Sequence, residues 1–314
     1  MLEGRVAIVT GGGRGIGRAH VLRLAAYGAR VVVNDAGSAA DGSPTAEAPA
    51  EETAAAVRAA GGEAIAHAGD VSAMRVGQEL VDLAVGTWGR LDIVINNAGI
   101  GRPKMVFNLE EDEWDDVVRV HLKGTFGVSR PACRWWRAQA KQHGSTYGRL
   151  INTSTGLLVY GGAGQSNYVA AKGGVGAFTD AVATEMAPYG VTVNAIMPSA
   201  MTRLAAVGWR IGRQREVDVP FDPTDPVHVA EFTCFLAGPA ASWISGQTFQ
   251  IRGAVIEHVV GWQVARTLER SDRPFTAADL AAELPRLFGA GSKRADPPPP
   301  EWRAQYAQRK ARDP

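Results

Sequence analysis

Cysteine is scarce in this chain: only Cys133 and Cys234 occur among 314 residues. Two cysteines cannot build a disulfide framework, and no ligand spacing typical of a metal site accompanies them, so we predict free thiols and no metal. Charge of one sign is not in excess either, with 33 Lys and Arg against 32 Asp and Glu. Because this balance provides no strong field for nucleic acid or an anionic membrane, we expect neither as a partner.

Long hydrophobic runs are absent as well. The first apolar run, residues 6–9, is far too short to span a bilayer, and no signal-peptide pattern is present. These features favour a soluble, cytoplasmic protein. A length of 314 residues suits one large α/β domain or two small ones.

Short β-branched runs alternate with longer alanine-rich stretches. Because most of the runs are apolar throughout, they fit strands covered on both faces. The runs are 6–9, 31–33, 64–66, 91–95, 149–151, 191–193 and 248–251, and the stretches between them, such as 16–27 and 51–60, are amphipathic. This order predicts an α/β fold with a doubly wound parallel sheet of about seven strands over residues 1–260.

Two regions interrupt the alternation. Residues 36–50 form a longer link than an α/β unit needs. Residues 261–314 form a predicted C-terminal extension, with a helix at 263–270, a second helix capped by Thr276, and a proline-rich charged tail.

A glycine-rich turn joins the first strand to the first helix, which favours a nucleotide site. Such glycines let the backbone approach a pyrophosphate, whose charge meets the amides of the helix N-terminus. The residues of the turn assigned to this site are Gly11, Arg14, Gly15, Ile16 and Gly17.

Further candidates for the nucleotide site follow the next three strands. Asp35 ends the second strand, where a carboxylate can bind both hydroxyls of an adenosine ribose, although an Asp that makes a turn before Gly37 is the alternative. Asp70 and Val71 follow the third strand, at the expected position of an adenine. The fourth strand is followed by Asn97, Ala98 and Gly99, which by themselves look like a turn.

Tyr168 and Lys172 lie four residues apart, on one face of a predicted helix. A nearby ammonium favours a phenolate, so Tyr168 could act as a base near neutral pH. Taken alone, such a pair is more often a packing contact.

Together the motifs resemble the classical short-chain dehydrogenase/reductase family over residues 4–255. The matching residues are Thr10-Gly11-x-x-x-Gly15-x-Gly17, Asp70, Asn96-Asn97-Ala98-Gly99, Tyr168-x-x-x-Lys172 and Asn194-Ala195-Ile196-Met197-Pro198. The resemblance implies a Rossmann-like fold, hydride transfer between a nicotinamide cofactor and a secondary alcohol or ketone, and a homo-oligomer, either a dimer or a tetramer.

The resemblance also implies the remaining roles. Thr155 occupies the place of a catalytic hydroxyl that is usually Ser, with Ser154 as the fallback, and His121 occupies the place of a catalytic Asn. Lys172 is expected to bind the nicotinamide ribose as well. The residues expected to flank the nicotinamide are Pro198, Met201 and Thr202.

A narrower resemblance connects the chain with the (3R)-hydroxyacyl-CoA dehydrogenase part of multifunctional enzymes type 2. It rests on residues 31–35 with the long link that follows, on 119–124, on 164–168 and on 273–276. It implies a 3-hydroxyacyl-CoA or a hydroxysteroid as substrate, and thus lipid metabolism. The alternatives are an NADP-dependent 3-oxoacyl reductase of fatty-acid synthesis and a non-catalytic nucleotide-binding protein, which the departures at Thr155 and His121 would favour.

The cofactor choice sets Arg14 against Asp35. Arg14 could approach the 2′-phosphate of NADP, whereas Asp35 would repel it by about 4 kcal/mol at roughly 4 Å and an effective dielectric constant of about 20. Because Arg14 can swing into solvent at little cost, whereas Asp35 is held at the end of its strand, we predict NAD over NADP.

Two more predictions concern the substrate side. Residues 262–288 should fold over the substrate entrance or a neighbouring subunit, since their apolar side chains would otherwise be exposed. Arg210, Arg213 and Arg215 could pair with a CoA phosphate, although a solvated charged run is the favoured interpretation.

Overall fold

The computed structural model describes residues 1–202 and 221–288. Its centre is an eight-stranded sheet in the order β3-β2-β1-β4-β5-β6-β7-β8. The strands are β1 Val6–Thr10, β2 Arg30–Asp35, β3 Ala64–Ala68, β4 Ile93–Asn96, β5 Gly148–Thr153, β6 Val191–Ser199, β7 Thr248–Arg252 and β8 Val255–Val259. The first seven pair in parallel, which confirms the predicted doubly wound sheet.

The eighth strand is the one that the sequence prediction missed. β8 runs antiparallel to β7 and follows it after a tight turn at Gly253, whose φ is +57°. Its residues, Val-Ile-Glu-His-Val, are half-buried or exposed. An edge strand of this kind lacks the continuous apolar run that marks the buried parallel strands.

Helices cover both faces of the sheet. They are α1 Gly15–Ala26, α2 Pro49–Ala59, α3 Met74–Trp88, α4 Glu111–Val118, α5 Gly124–His143, α6 Leu157–Tyr160, α7 Ser166–Met186, α8 Val227–Ala237 and α9 Ala277–Phe288, with a π-helical turn over Arg119–Lys123. One core joins the sheet to α1, α2 and α8, and a second joins it to α3, α5 and α7. Neighbouring residues of a strand alternate between these cores, as Ile8 and Val9 do. This burial on both faces fixes the carboxyl ends of the strands, where the candidate site lies.

The chain divides into two compact units, Met1–Val259 and Val260–Pro314. In the second unit α9 begins after Thr276, whose N–H donates to Asp279 at 2.8 Å while its hydroxyl accepts from the Asp279 N–H at 3.2 Å. This is the predicted capping box. The prediction of a helix at 263–270 is wrong, because those residues have no regular structure.

The reason for the missing helix is a lack of burial. Trp262 and Val264 are exposed, and a helix this short needs a packed apolar face to be stable in water. The role of residues 262–288 at a substrate entrance stays a prediction, and the proline-rich tail lies outside the described residues. Within the described part of the chain, no helix is long and apolar enough to cross a membrane.

Candidate active site

The glycine-rich turn is shaped by positions that exclude a side chain. Gly11 and Gly15 have φ values of +61° and +51°, in the left-handed region that favours glycine. A Cβ atom at Gly17 would lie 1.9 Å from the carbonyl oxygen of Gly11. The backbone therefore turns tightly into α1, whose first turn contains no acidic residue. Such a helix N-terminus favours a bound anion.

Asn97 and Ala98 tie the end of β4 to this turn. The Asn97 side-chain amide donates to the carbonyl oxygens of Thr10 at 3.0 Å and Gly11 at 3.2 Å. The Thr10 hydroxyl accepts from the N–H groups of Asn97 at 3.0 Å and Ala98 at 3.1 Å. The motif after β4 is thus more than a turn, because it fixes the glycine-rich segment against the neighbouring strand.

Asp35 lies beside the same turn, at the end of β2. Its carboxylate accepts from the N–H of Gly13 at 3.1 Å and from the N–H of Gly37 at 2.9 Å. The bond to Gly37 is the turn contact that we set out as the alternative to ribose binding. The bond to Gly13 places the same carboxylate against the glycine-rich turn. Asp35 can therefore make the turn before Gly37 and still face a ribose.

Arg14 does not swing into solvent, and this expectation is corrected. Its guanidinium donates to the Ser38 carbonyl at 3.2 Å and forms an ion pair with Glu47, and its side chain is only 21% exposed. Both partners belong to the 36–50 link. The sequence could not show this pairing because Glu47 lies in a segment without periodicity, far from Arg14 along the chain.

Asp70 is held by two partners after β3. One carboxylate oxygen accepts from the Ser72 N–H at 2.9 Å, and the other accepts from the Arg119 guanidinium at 2.9 Å. Partial burial raises its pKa, but the bonds from Ser72 and Arg119 outweigh this effect and hold the pKa of Asp70 below its usual value. The neighbouring Val71 is buried. Arg119, like Glu47, lies outside the motifs that predict the nucleotide site.

Tyr168 and Lys172 lie on successive turns of α7. Lys172 is 3% exposed, and its ammonium donates to the Thr153 carbonyl at 2.6 Å. Burial lowers the pKa of Lys172 to about 7. Its Nζ atom lies 5.9 Å from the centroid of the Tyr168 ring.

We expected the Lys172 ammonium to lower the pKa of Tyr168, and the structure does not show this. Burial raises the pKa of Tyr168, and only a hydrogen bond with Thr155 lowers it. At the distance found, the Lys172 charge does not outweigh the loss of solvation around the phenol.

The two hydroxyls before α6 point in different directions. Thr155 hydrogen-bonds the Tyr168 side chain and accepts from the Leu157 N–H at 3.3 Å. Ser154 donates to the Lys172 carbonyl at 3.0 Å and is buried. The geometry therefore favours Thr155 as the hydroxyl that faces a substrate.

His121 reaches Tyr168 from the π-helical turn. Its ring meets the Tyr168 ring edge-on, with centroids 5.1 Å apart. Its Nε2 atom lies 2.8 Å from the carbonyl oxygen and 3.1 Å from the nitrogen of Ile100, whereas Nδ1 has no hydrogen-bond partner among the described residues. Burial lowers the pKa of His121 to about 3, so the imidazole is neutral at neutral pH.

The segment after β6 closes the other side of the site. Pro198 lies within β6, and the Met201 N–H donates to the Thr224 carbonyl at 2.9 Å. The Thr202 methyl group would lie 3.4 Å from a Cβ at Gly15. This segment therefore reaches the glycine-rich turn, while Arg210, Arg213 and Arg215 lie outside the described residues.

These groups fit a dinucleotide cofactor. The glycine-rich turn leads directly into the N-terminus of α1, whose first-turn amides can bind a pyrophosphate, and Asp35 offers a carboxylate beside it. Lys172 contacts the end of β5, beyond β4, so a dinucleotide bound along this edge of the sheet would extend from Asp35 to Lys172 and Tyr168.

Comparison with known proteins identifies the family. A family model described as short chain dehydrogenase matches residues 5–209. Hydroxyacyl-CoA dehydrogenase ChsB1 of Mycobacterium tuberculosis is 42% identical over 290 residues, which cover 91% of this chain and 89% of that protein. Peroxisomal multifunctional enzyme type 2 of Mus musculus is 35% identical over 263 residues, which cover 83% of this chain but 32% of that enzyme.

A solved structure agrees with this result. The crystal structure of a short chain dehydrogenase from Mycobacterium avium superposes with a TM-score of 0.80 at 41% identity, and the match covers 95% of this chain and 98% of that chain. The chain belongs to the short-chain dehydrogenase family and is an oxidoreductase of the kind that uses a nicotinamide cofactor.

Proposed function

We propose that this enzyme is an NAD-dependent dehydrogenase that oxidises the 3-hydroxyl group of a hydroxyacyl-CoA thioester. The observation that carries the chemistry is the contact of Thr155 with Tyr168, one helical turn from the buried Lys172. The names of two relatives, a hydroxyacyl-CoA dehydrogenase and a peroxisomal multifunctional enzyme, support the substrate class.

The proposed reaction removes a hydride from the alcohol carbon and a proton from its oxygen. Tyr168 first releases its phenolic proton to solvent and then, as a phenolate, accepts the hydroxyl proton, while Thr155 donates a hydrogen bond to the substrate oxygen as it gains charge. Bound NAD supplies the hydride acceptor. Lys172 would hold the nicotinamide ribose of the bound cofactor, and the neutral His121 ring packs edge-on against the Tyr168 ring.

NAD rather than NADP is the proposed cofactor because of the charges around the adenosine ribose. Asp35 is fixed by the N–H groups of Gly13 and Gly37, so a 2′-phosphate would meet a carboxylate that cannot easily move away. Asp70 and Val71 are the proposed neighbours of the adenine.

A homo-oligomer remains part of the proposal. It rests on the resemblance to the short-chain dehydrogenase family, which implies a dimer or a tetramer.

Cofactor reduction by the purified enzyme tests the proposal. The substrates are (3R)- and (3S)-hydroxyacyl-CoA and a hydroxysteroid, each with NAD and with NADP. We expect the highest kcat/KM for a (3R)-hydroxyacyl-CoA with NAD. A higher value for the steroid overturns the substrate class, a preference for NADP favours the reductase of fatty-acid synthesis, and binding without any reduction favours the non-catalytic alternative.

A further inference from the structure

The 36–50 link lies along the carboxyl edge of the sheet. Ser38 and Pro44 pair in an isolated antiparallel bridge, which folds the link back on itself. The Ala40 carbonyl accepts from the N–H of Gly101, a residue that follows β4. Since β1 lies between β2 and β4, the link extends from the end of β2 past the glycine-rich turn to the segment after β4.

Contacts within the link fix the position of Glu47. The Thr45 hydroxyl donates to the Gly37 carbonyl and accepts from the Glu47 N–H at 3.4 Å. A Cβ atom at Gly37, whose φ is +69°, would lie 2.8 Å from the Glu47 carbonyl oxygen. The backbone at Glu47 is therefore packed against the residue that also binds Asp35, and its carboxylate is aimed at Arg14.

In this arrangement one carboxylate, Glu47, pairs with the Arg14 guanidinium, and a second, Asp35, binds the backbone of the residue before Arg14. Arg14 adjoins Gly13, the residue whose N–H donates to Asp35, and its guanidinium is paired with Glu47. A phosphate on the ribose 2′-oxygen needs a free guanidinium to offset the charge of Asp35. The ion pair with Glu47, together with the bond to Ser38, engages that guanidinium.

We propose that Glu47 determines cofactor specificity by holding Arg14 in an ion pair and so withholding it from the 2′-phosphate of NADP. The inference rests on the proposed nicotinamide site and assigns a function to the 36–50 link. Asp35 repels the 2′-phosphate directly, whereas Glu47 pairs with the Arg14 guanidinium that would otherwise attract the phosphate.

The test measures the dissociation constants of NADH and NADPH for the full-length chain, from the change in cofactor fluorescence on binding. Glu47→Gln keeps the shape of the side chain and removes its charge. We expect the Kd of NADPH to fall by about tenfold, and the Kd of NADH to stay within about twofold. Because Glu47 is 58% exposed, the variant is expected to fold, and a thermal melt verifies it.

Two further variants make the result specific. Glu51→Gln removes an equal charge from the start of α2, where Glu51 pairs with Arg58 rather than Arg14, and it should leave both constants unchanged. Arg14→Ala added to Glu47→Gln should abolish the gain for NADPH. An unchanged Kd of NADPH in Glu47→Gln, or a gain that persists without Arg14, overturns the proposal.

The same data separate this inference from the cofactor choice. If the wild-type enzyme binds NADPH more tightly than NADH, the proposed preference for NAD fails. The role of Glu47 is then still decided by whether Glu47→Gln tightens NADPH binding further through Arg14.

Discussion

A Cβ atom on Gly99 would lie 2.3 Å from Cε1 of His121, so the glycine after β4 and the histidine of the π-helical turn share one tightly filled space. The family places an Asn where this chain has His121. The absence of a side chain at position 99 is what lets the imidazole contact both Ile100 and the ring of Tyr168.

Gly99→Ala should therefore displace His121. We expect turnover to fall by about tenfold or more, because a small misplacement of a group that orients the base is costly. In a His121→Asn background the same substitution should cost less, since the smaller side chain leaves room. Equal losses in the two backgrounds, from kcat values measured side by side, would show that the pair is not coupled.

The two hydroxyls before α6 should differ sharply in their effect on turnover. Thr155→Val removes the hydroxyl that bonds Tyr168 and should lower kcat by about 10- to 10³-fold, while Thr155→Ser should retain activity. Ser154→Ala removes a bond to the Lys172 carbonyl and should cost about 1 kcal/mol of stability with a smaller loss of turnover. The reverse pattern would move the role to Ser154.

Buried Lys172 is expected to lower the free energy of unfolding near neutral pH. Burial lowers its pKa from 10.5 to about 7, so between these values the unfolded chain binds more protons than the folded one. Stability should then rise with pH across this window, by about 1.4 kcal/mol per unit from this group. Lys172→Met should flatten the slope and raise the free energy of unfolding at pH 7 while abolishing turnover. Urea titrations at several pH values measure both, and an unchanged slope would contradict the burial argument.

His20 should sensitise the fold to acid. It is fully buried in α1, neither ring nitrogen has a hydrogen-bond partner among the described residues, and burial lowers its pKa from 6.5 to about 3. Below pH 6.5 the unfolded chain gains a proton that the folded chain refuses, so stability falls by about 1.4 kcal/mol per pH unit. His121 contributes a similar slope.

His20→Leu should remove about half of the acid sensitivity due to these two histidines. The exposed His143→Leu serves as the matched control and should leave the slope unchanged. Denaturant unfolding between pH 4 and 7 gives both slopes, and equal slopes for wild type and His20→Leu would refute the assignment.

The elements that the sequence predicts are those whose burial leaves a local apolar pattern. The parallel strands were recognised because burial on both faces leaves continuous apolar runs, as in Val31, Val32 and Val33. β8 was missed because an exposed edge strand carries no such run, and the helix at 263–270 was wrong because periodicity alone does not supply a packing partner.

The candidate site shows the same division. Tyr168 and Lys172 could be paired from the sequence because their spacing is local, within one helix. The pairing of Arg14 with Glu47 depends on how an irregular link folds, and the effect of burial on Tyr168 depends on side chains from several elements. Neither could be read from spacing.

The most direct test of the central claim is the rate of NAD reduction by Tyr168→Phe with a (3R)-hydroxyacyl-CoA, measured together with the Kd of NADH. Removing only the phenolic hydroxyl should lower kcat by at least about 10²-fold, the usual size of an acid–base contribution, and leave the Kd within about twofold of wild type. Turnover retained in this variant would contradict the assignment of Tyr168 as the proton acceptor.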